Sequence, residues 1–475
     1  MKAFISSLKL RLSDLFLFVG FIGFALFLVF GQEFMQHPNP NEVSFPLWVS
    51  IPSFIIMVGS WSYYLYLEVY KSKEKINLII PSIFLGLIFL NIIAIAVQPE
   101  HSEVTTIFRL TDKETPVGTL MPVDLYVTGF HKFIFISEMI GVAMFIYIGL
   151  FVFPKRFTSY KFVLYLGYAL YGLIAVLMIY SFITEFDRYI LFINYFLGNV
   201  DKSTIDFNRD CTVKSFIIHR NAFGMVYMLG IIFAFINNSI KKQSLLNYIL
   251  AGVFYIFMFF TFCKTAILLC TAIIAGYFLY RMILTFKEHK KRNIISLSVV
   301  AGVGVILVGV LAIAILTKGK VLASLYDLWN SVTLGGSTLR SREFIWDNTF
   351  LLLKDGWWLI GRGFGTINLL LRPLNLASHN DVAFPTHSSM LNMLAEGGII
   401  FLLAYFVFLG YSGYIIYKCF KKDFPTTFAV SLGYVAFVLY SLIETIHYLA
   451  LVFLFPIFII YYLPKEESQK IEEKK

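Results

Sequence analysis

Charged residues are scarce in this sequence. Only 14% of its 475 residues are Asp, Glu, Lys or Arg, whereas 58% are hydrophobic. This balance excludes an ordinary soluble globular domain and is typical of a chain whose solvent is lipid. Cysteine is also scarce: there are four, none at metal-ligand spacing, and we interpret them as structural thiols. The net charge of +10 comes with no nucleic-acid-binding motif, so we predict no nucleic-acid partner.

Long apolar runs are abundant. Each run of about 20 residues is long enough to cross about 30 Å of hydrocarbon as a helix. These runs predict an all-α fold, a polytopic membrane helix bundle of about twelve transmembrane helices. The predicted spans are 13–31, 47–70, 77–97, 132–153, 162–183, 219–238, 245–263, 265–286, 294–317, 397–418, 426–445 and 447–463. The first run is too long for a signal peptide and lacks a small-residue cleavage site, so we count it as a span.

Lysine and arginine are concentrated in alternate short loops and in both tails. By the positive-inside rule, this pattern predicts that both termini are cytoplasmic. The predicted segments are 1–317 (nine spans, with outer loops 98–131 and 184–218), 318–396 (a large outer loop), 397–464 (three spans) and 465–475 (a cytoplasmic tail). Loops as long as the third outer one are usually functional.

The large outer loop has predicted structure of its own. Apolar residues recur at helical spacing in 337–356, a Ser-Thr pair can cap the start, and Asp355-Gly356 stops the pattern. We predict an amphipathic helix lying on the outer leaflet. Further along, 361-GRGFG-365 lacks the strand and βαβ context of a nucleotide-binding motif. It fits either a turn whose N–H groups approach an anion or a plain flexible turn.

Basic residues on the outer side are not explained by topology. Arg220 opens the sixth predicted span, and Lys264 lies in a very short turn between spans seven and eight. The large loop adds Arg340, Arg342, Lys354, Arg362 and Arg372. Fixed cations at the outer rim fit a pyrophosphate, because guanidinium groups pair bidentately with phosphate oxygens. The alternative is that each side chain extends to lipid headgroups.

His387 is the candidate base. An imidazole titrates near neutral pH and can take a proton from a hydroxyl nucleophile; the alternative is a capping or core histidine. Glu396 follows nine residues later, facing the opposite side of a continuous helix about 13 Å away. We therefore interpret Glu396 as a packing or helix-end residue and not as the partner of His387.

Two further pairs of ionisable residues lie in or beside predicted spans. Glu138 follows His131 by seven residues on the same helical face, and Glu444 and His447 are three residues apart. Each pair is either a proton path or a satisfied polar contact.

Several of these features occur in an order that resembles the bacterial O-antigen polymerase and O-antigen ligase superfamily. The matching residues are Arg220-Asn221, Lys264-Thr265, Ser341-Arg342 with Ile345-Trp346, the alternate glycines Gly361, Gly363 and Gly365, and His387 with Leu391, Leu394, Glu396 and Gly397. The resemblance is densest over 335–402. Two positions depart from it: Ser388 stands where the family usually has asparagine, and Cys263-Lys264 where it often has Ser-Arg.

The resemblance implies a metal-independent, inverting membrane glycosyltransferase of GT-C-like fold, without cofactor, in the cytoplasmic membrane of a bacterium. It would take a glycan from undecaprenyl pyrophosphate on the outer face, with a growing glycan as acceptor and possible contact with a chain-length regulator. His387 would be the base or would position the acceptor hydroxyl. Arg220 and Arg342 would hold the pyrophosphate, with Lys264 and Arg340 as further candidates.

The expected function is that of a polysaccharide polymerase. A ligase that moves a finished glycan to its final acceptor shares every motif, and a peptidoglycan-type glycosyltransferase would more naturally use a carboxylate in its large outer loop. A non-enzymatic flippase of lipid-linked glycans is the alternative from another class. It predicts charges spread along a path through the spans, whereas here, apart from Glu138, they gather at one rim.

Overall fold

The computed structural model describes most of the chain. The described residues are 12–36, 45–70, 79–107, 118–148, 161–200, 205, 207–214, 220–240, 244–288, 337–379, 386, 388–420, 424–444, 455–456, 459–460 and 463. The predicted span 294–317, the predicted tail 465–475, His387 and His447 lie outside the described residues, as does most of 447–463.

The described chain is mostly helical, and the predicted spans within it overlap helices. The helices are α1 (Leu12–Gln36), α2 (Phe45–Leu65, continued by a π-helical turn, Tyr66–Tyr70), α3 (Ile79–Ala96), α4 (Gly129–Tyr147), α5 (Lys161–Thr184), α6 (Phe186–Leu197), α7 (Arg220–Ile240), α8 (Leu245–Thr261), α9 (Lys264–Glu288), α10 (Ser337–Leu352), α11 (Trp357–Ile360), α12 (Thr366–His379), α13 (Ser389–Phe420) and α14 (Phe424–Ile443). A second π-helical turn, Phe207–Cys211, precedes α7. The predicted helix in the large loop is present as α10, whereas α6, α11 and α12 have no counterpart in the prediction.

Within the described residues, six helices are long and apolar enough to cross a membrane. They are Gly129–Tyr147, Leu166–Thr184, Arg220–Ile240, Lys264–Arg281, Ser389–Phe420 and Phe424–Ile443. Three shorter apolar helices are Ser13–Phe24, Leu85–Ala96 and Leu245–Thr261. The structure thus agrees with a helical membrane bundle, while the count of about twelve spans stays a prediction.

A β-hairpin in the predicted outer loop 98–131 departs from the expected all-α fold. Strands β1 (His101–Ile107) and β2 (Leu120–Tyr126) pair antiparallel, with Glu103 opposite Asp124. Val123 and Leu125 of β2 are buried. The sequence does not show the apolar–polar alternation typical of a half-buried strand, because Leu120 and Tyr126 are apolar but exposed.

The described elements cluster into two compact units. The first comprises Met1–Thr158, Ser341–Ser412 and Tyr448–Tyr461; the second comprises Ser159–Arg340, Gly413–His447 and Tyr462–Lys475. These units are defined by packing, whereas the four predicted segments are stretches of sequence.

In the first unit, α10 packs into a hydrophobic core with the hairpin and α12. Ile345 and Leu352 of α10 are buried in the same cluster as Leu125 and Leu374. A buried polar chain adds to it: Thr106 Oγ1 donates to Asn348 Oδ1 at 2.7 Å, and Asn348 Nδ2 donates to Asn375 Oδ1 at 3.0 Å. The expectation that the apolar side of α10 rests on lipid is therefore wrong for Ile345 and Leu352, because protein covers them.

In the second unit, α7 is the central helix. It contacts α5, α8, α9 and α14, and it is more buried than the other five candidate membrane helices among the described residues. A helix covered on all sides in this way can carry polar side chains only where neighbouring helices supply partners.

Candidate functional site: an anion-binding rim and a candidate base

The residues on both sides of His387 are held in place within the first unit. Thr386 is fully buried, its hydroxyl donates to the Ser388 carbonyl at 2.9 Å, and its own carbonyl accepts from Trp346 Nε1 at 2.8 Å. Trp346 lies one helical turn after Arg342 in α10. Helix α10 is therefore packed against the residues that flank His387. The side chains of Arg340, Arg342 and His387 themselves lie outside the described residues.

Ser388 occupies the position where the sequence departs from the family pattern. Its Oγ accepts from the Leu391 backbone N–H at 3.3 Å, so it caps the N-terminus of α13. Asparagine and serine are both strong N-caps. The serine therefore supplies the capping group that an asparagine would supply at this position.

Helix α13 is broken at Gly398, whose φ of 69° and ψ of −177° are not helical. At the break, the Ala395 carbonyl accepts from the Arg362 N–H and the Glu396 carbonyl accepts from the Gly363 N–H, both at 2.8 Å. The Glu396 carbonyl also accepts from Asn91 Nδ2 at 2.9 Å. A broken membrane helix is tolerated where protein satisfies the backbone groups in this way.

The turn 361–365 therefore docks against the break and is not a plain flexible turn. Gly361 has φ 73° and ψ 177°, and a β-carbon there would overlap the Glu396 backbone. A β-carbon on Gly398 would in turn overlap the carbonyl of Leu359. Two glycines are required because two backbone segments cross in direct contact.

The Glu396 carboxyl group caps the N-terminus of α12. Oε1 accepts from the Gly365 N–H at 2.9 Å at the start of that helix, and Oε2 accepts from Asn392 Nδ2 at 2.8 Å. A carboxylate at a helix N-terminus is favoured both by the orphan N–H groups and by the helix dipole. This geometry agrees with the interpretation of Glu396 as a helix-end residue. The N–H of Gly365 in the glycine turn thus donates to a carboxyl group of the protein itself.

Arg362 does not extend to lipid headgroups. Its side chain is buried, Nε donates to the Leu352 carbonyl at 2.7 Å, and the guanidinium lies 4.3 Å from the ring centre of Trp357. Burial lowers its pKa to about 10, so it stays charged at neutral pH. Arg362 thus joins α10 to the glycine turn.

His131 takes part in the N-terminal cap of α4, which begins at Gly129. The Thr128 Oγ accepts from the His131 N–H at 3.4 Å, and His131 Nδ1 accepts from the Thr128 N–H at 3.2 Å. This reciprocal pair is a capping box. The contact supports the alternative of a satisfied polar contact at His131 Nδ1, while the role of Glu138 stays open.

Arg220 and Lys264 lie at the same end of the second unit, because their neighbours Asn221 and Thr265 both bind Glu444. Arg220 begins α7 and Lys264 begins α9, and the charge of Arg220 acts on the thiol of Cys263, the neighbour of Lys264. Because helix N-termini carry partial positive charge, two of them and two basic side chains share this end. We call the cluster of Arg220, Asn221, Lys264, Thr265 and Glu444 the cationic rim.

Glu444 is the one carboxylate in this cluster, and sequence reasoning did not connect it to the others. It is buried, and its oxygens accept from Asn221 Nδ2 at 2.8 Å and from Thr265 Oγ1 at 3.4 Å. Tyr440 adds a bond from its hydroxyl to the Asn221 carbonyl at 2.8 Å. Glu444 thus has satisfied polar contacts and orients the residues beside both cations, which lie more than 170 positions away in the sequence.

Cys263, the chain neighbour of Lys264, is a buried free cysteine. Its burial agrees with the interpretation of the cysteines as structural.

Gly224 lets α7 approach the turn that carries Lys264. A β-carbon at this position would overlap that of Cys263 and would stand 3.2 Å from Thr261 Oγ1. We expect Gly224→Ala to lower the free energy of unfolding by about 1–3 kcal/mol through overpacking, measured by thermal unfolding in detergent. Gly252→Ala is the matched control, because it is also helical but nothing lies within 4 Å of its β-carbon. The control should be neutral or stabilising by up to about 1 kcal/mol; equal behaviour of the two variants would contradict the close approach.

No protein-family model, curated protein or solved structure matches this chain. Among the described residues, no group of three or more His, Cys, Asp or Glu side chains is arranged to hold a metal ion. What the fold and the described residues define is a helical protein with membrane-spanning helices and a cationic rim at the start of two of them.

Proposed function

We propose that the protein is a polysaccharide polymerase of the GT-C class with about twelve spans, which joins glycan repeat units carried on a polyprenyl diphosphate. The observation that carries this proposal is the cationic rim. Arg220 and Lys264 supply two positive charges at the N-termini of α7 and α9, and each helix adds roughly half a charge. After subtraction of Glu444, the net charge is about +2, which suits a diphosphate group.

The reaction needs charge neutralisation and one base. The acceptor hydroxyl attacks the anomeric carbon, the bond from that carbon to the phosphate oxygen breaks, and the polyprenyl diphosphate leaves with inversion. His387 takes the hydroxyl proton, and the fixed cations stabilise the negative charge that develops on the leaving phosphate. Arg342 and Arg340 are further candidates for diphosphate binding.

Removal of the rim cations tests the proposal. In lipid nanodiscs with a polyprenyl-diphosphate-linked oligosaccharide and excess EDTA, wild-type protein should extend the glycan. Arg220→Ala and Lys264→Ala should each lower kcat/KM by about 100-fold or more, because each removes charge stabilisation from the transition state. Arg220→Lys should recover only part of this loss, because lysine cannot make the bidentate contact.

Lys418→Ala is the matched control, because it removes an exposed basic residue from the last turn of α13 and should leave turnover unchanged. Wild-type turnover by Arg220→Ala would contradict the diphosphate role of the rim. Activity that EDTA abolishes and magnesium restores would contradict a metal-independent reaction. Transfer to a lipid-linked final acceptor without chain extension would identify a ligase.

A further inference from the structure

A layer of buried polar side chains lies at the end of the second unit remote from the cationic rim. Asn237 and Asn238 lie in the last turn of α7, Asn247 in the first turn of α8, and Thr427 in the first turn of α14. Their exposed fractions are 0%, 1%, 1% and 0%. Since Asn237 lies 17 residues after Arg220 in α7, this asparagine layer is about 26 Å along the helix from Arg220.

Packing register places the four side chains at one level. Gly230 of α7 packs against the ring of Phe254 in α8, so seven residues further along this antiparallel pair, Asn237 is level with Asn247. Asn221 of α7 pairs with Glu444 just after α14. Counting 17 residues from each of them along these antiparallel helices brings Asn238 level with Thr427. Three helices thus contribute polar groups to one cross-section.

Most of these polar groups have no hydrogen-bond partner among the described residues. Asn237 Nδ2 is partnered, since it donates to the Tyr171 hydroxyl at 3.2 Å and to the Leu164 carbonyl at 3.5 Å. The atoms left without partners are Asn237 Oδ1, both amide atoms of Asn238, both amide atoms of Asn247, and Thr427 Oγ1. The Tyr248 hydroxyl interacts with Asn238 and with Tyr277, without meeting hydrogen-bond geometry at the Asn238 amide.

Such atoms cannot stay unpaired at low cost. A buried donor or acceptor without a partner loses its hydration and gains nothing in return. Six such atoms on three helices are too many to be individual exceptions, because nearly all buried polar groups in proteins have partners. Since no described residue pairs with these atoms, the layer needs a further partner.

The atoms themselves restrict that partner. The oxygens of the three asparagines accept, the amide nitrogens of Asn238 and Asn247 donate, and the Thr427 hydroxyl does both. A cation would pair with the oxygens only and would leave both nitrogens unsatisfied. The near-zero exposure of all four residues excludes a large ligand, and Asn237 already packs directly on Gly167.

We propose that the asparagine layer is a binding site for ordered water. Water both donates and accepts, it is small enough, and a buried water typically makes about three hydrogen bonds, so about two or three molecules satisfy the layer. These waters join α7, α8 and α14 through bridging hydrogen bonds. Among the described residues, Arg281 of α9 is a charged group close enough to act on Tyr248.

The sign of a stability change tests this proposal independently of any catalytic activity. In full-length protein in nanodiscs, Asn247→Leu should lower Tm by about 1–3 °C, because it removes partners from bound water. If the layer is dry, the same change removes unsatisfied polar atoms and Tm should rise. Thr427→Val, which deletes one hydroxyl at constant shape, should shift Tm in the same direction as Asn247→Leu and serves if the leucine variant does not fold.

Asn375→Leu is the calibrating control, because Asn375 is buried but hydrogen-bonded, so its replacement lowers Tm in either case. Radiolytic hydroxyl labelling in ¹⁸O-water should mark Tyr171 and Tyr248 in wild-type protein and at least two-fold less in Asn247→Leu. A rise in Tm or the absence of labelling at both tyrosines would overturn the proposal. A second outcome would also overturn it: sodium chloride raises the Tm of wild-type protein, while choline chloride does not and Asn247→Leu does not respond. That result would identify a bound cation.

Discussion

Replacement of His387 by alanine is expected to abolish visible polymer while the protein still folds. If the imidazole is the base, its loss should lower kcat by about 10²–10⁴-fold, because the acceptor hydroxyl then has to lose its proton without help. The KM for the lipid-linked donor should change little, since the rim residues proposed to bind the diphosphate are intact. The measurement is the length distribution of polymer made by the purified variant, with initial rates at saturating donor.

Ser388→Asn is the matched control for His387→Ala. It changes the adjacent residue but keeps an N-cap for α13, so rate and Tm should stay close to wild type. Ser388→Ala should cost about 1 kcal/mol of stability without loss of kcat. Wild-type polymer length from His387→Ala would remove the histidine from the mechanism and leave it a structural residue.

Gly398→Ala should be among the most destabilising additions of a single methyl group to the first unit. The backbone there lies in a region that essentially only glycine adopts, which costs an alanine about 1–3 kcal/mol. The overlap with the Leu359 carbonyl adds about 1–3 kcal/mol of overpacking. We expect a loss of about 3–5 kcal/mol, measured by thermal unfolding and by the yield of monodisperse protein.

Gly356→Ala separates the two causes. Gly356 also has a positive φ, 89°, but nothing lies within 4 Å of its β-carbon, so only backbone strain of about 1–2 kcal/mol is expected. Gly361→Ala should behave like Gly398→Ala, because its β-carbon would overlap the Glu396 backbone. If Gly398→Ala costs no more than Gly356→Ala, the crossing of the two segments is less tight than the structure indicates.

Part of the candidate site could be predicted from the sequence. The spacing of apolar residues predicted α10, and Asp355-Gly356 marks its end: both residues have positive φ. The spacing between His387 and Glu396 excluded a contact on a continuous helix, and Glu396 caps α12. Arg220 and Lys264 were predicted to share one rim, and in the second unit they do lie at the same end.

Other parts could not be predicted, because they depend on partners far away in the sequence. Nothing near Glu444 indicates that it binds Asn221 and Thr265. The burial of Arg362 requires the Leu352 carbonyl and the Trp357 ring, and a basic residue in a polar loop gives no sign of either. In the same way, the three buried asparagines lie at one level only because α7 and α8 pack in a particular register.

The sequence by itself determined that this is a helical membrane protein and where many of its helices run. An apolar run of about 20 residues has few other ways to satisfy its backbone in lipid. Only the tertiary structure decided which polar residues belong to a rim, which glycines allow two segments to cross, and which amides are left without protein partners. Those outcomes depend on contacts between residues up to several hundred positions apart, and composition and periodicity carry no information about such contacts.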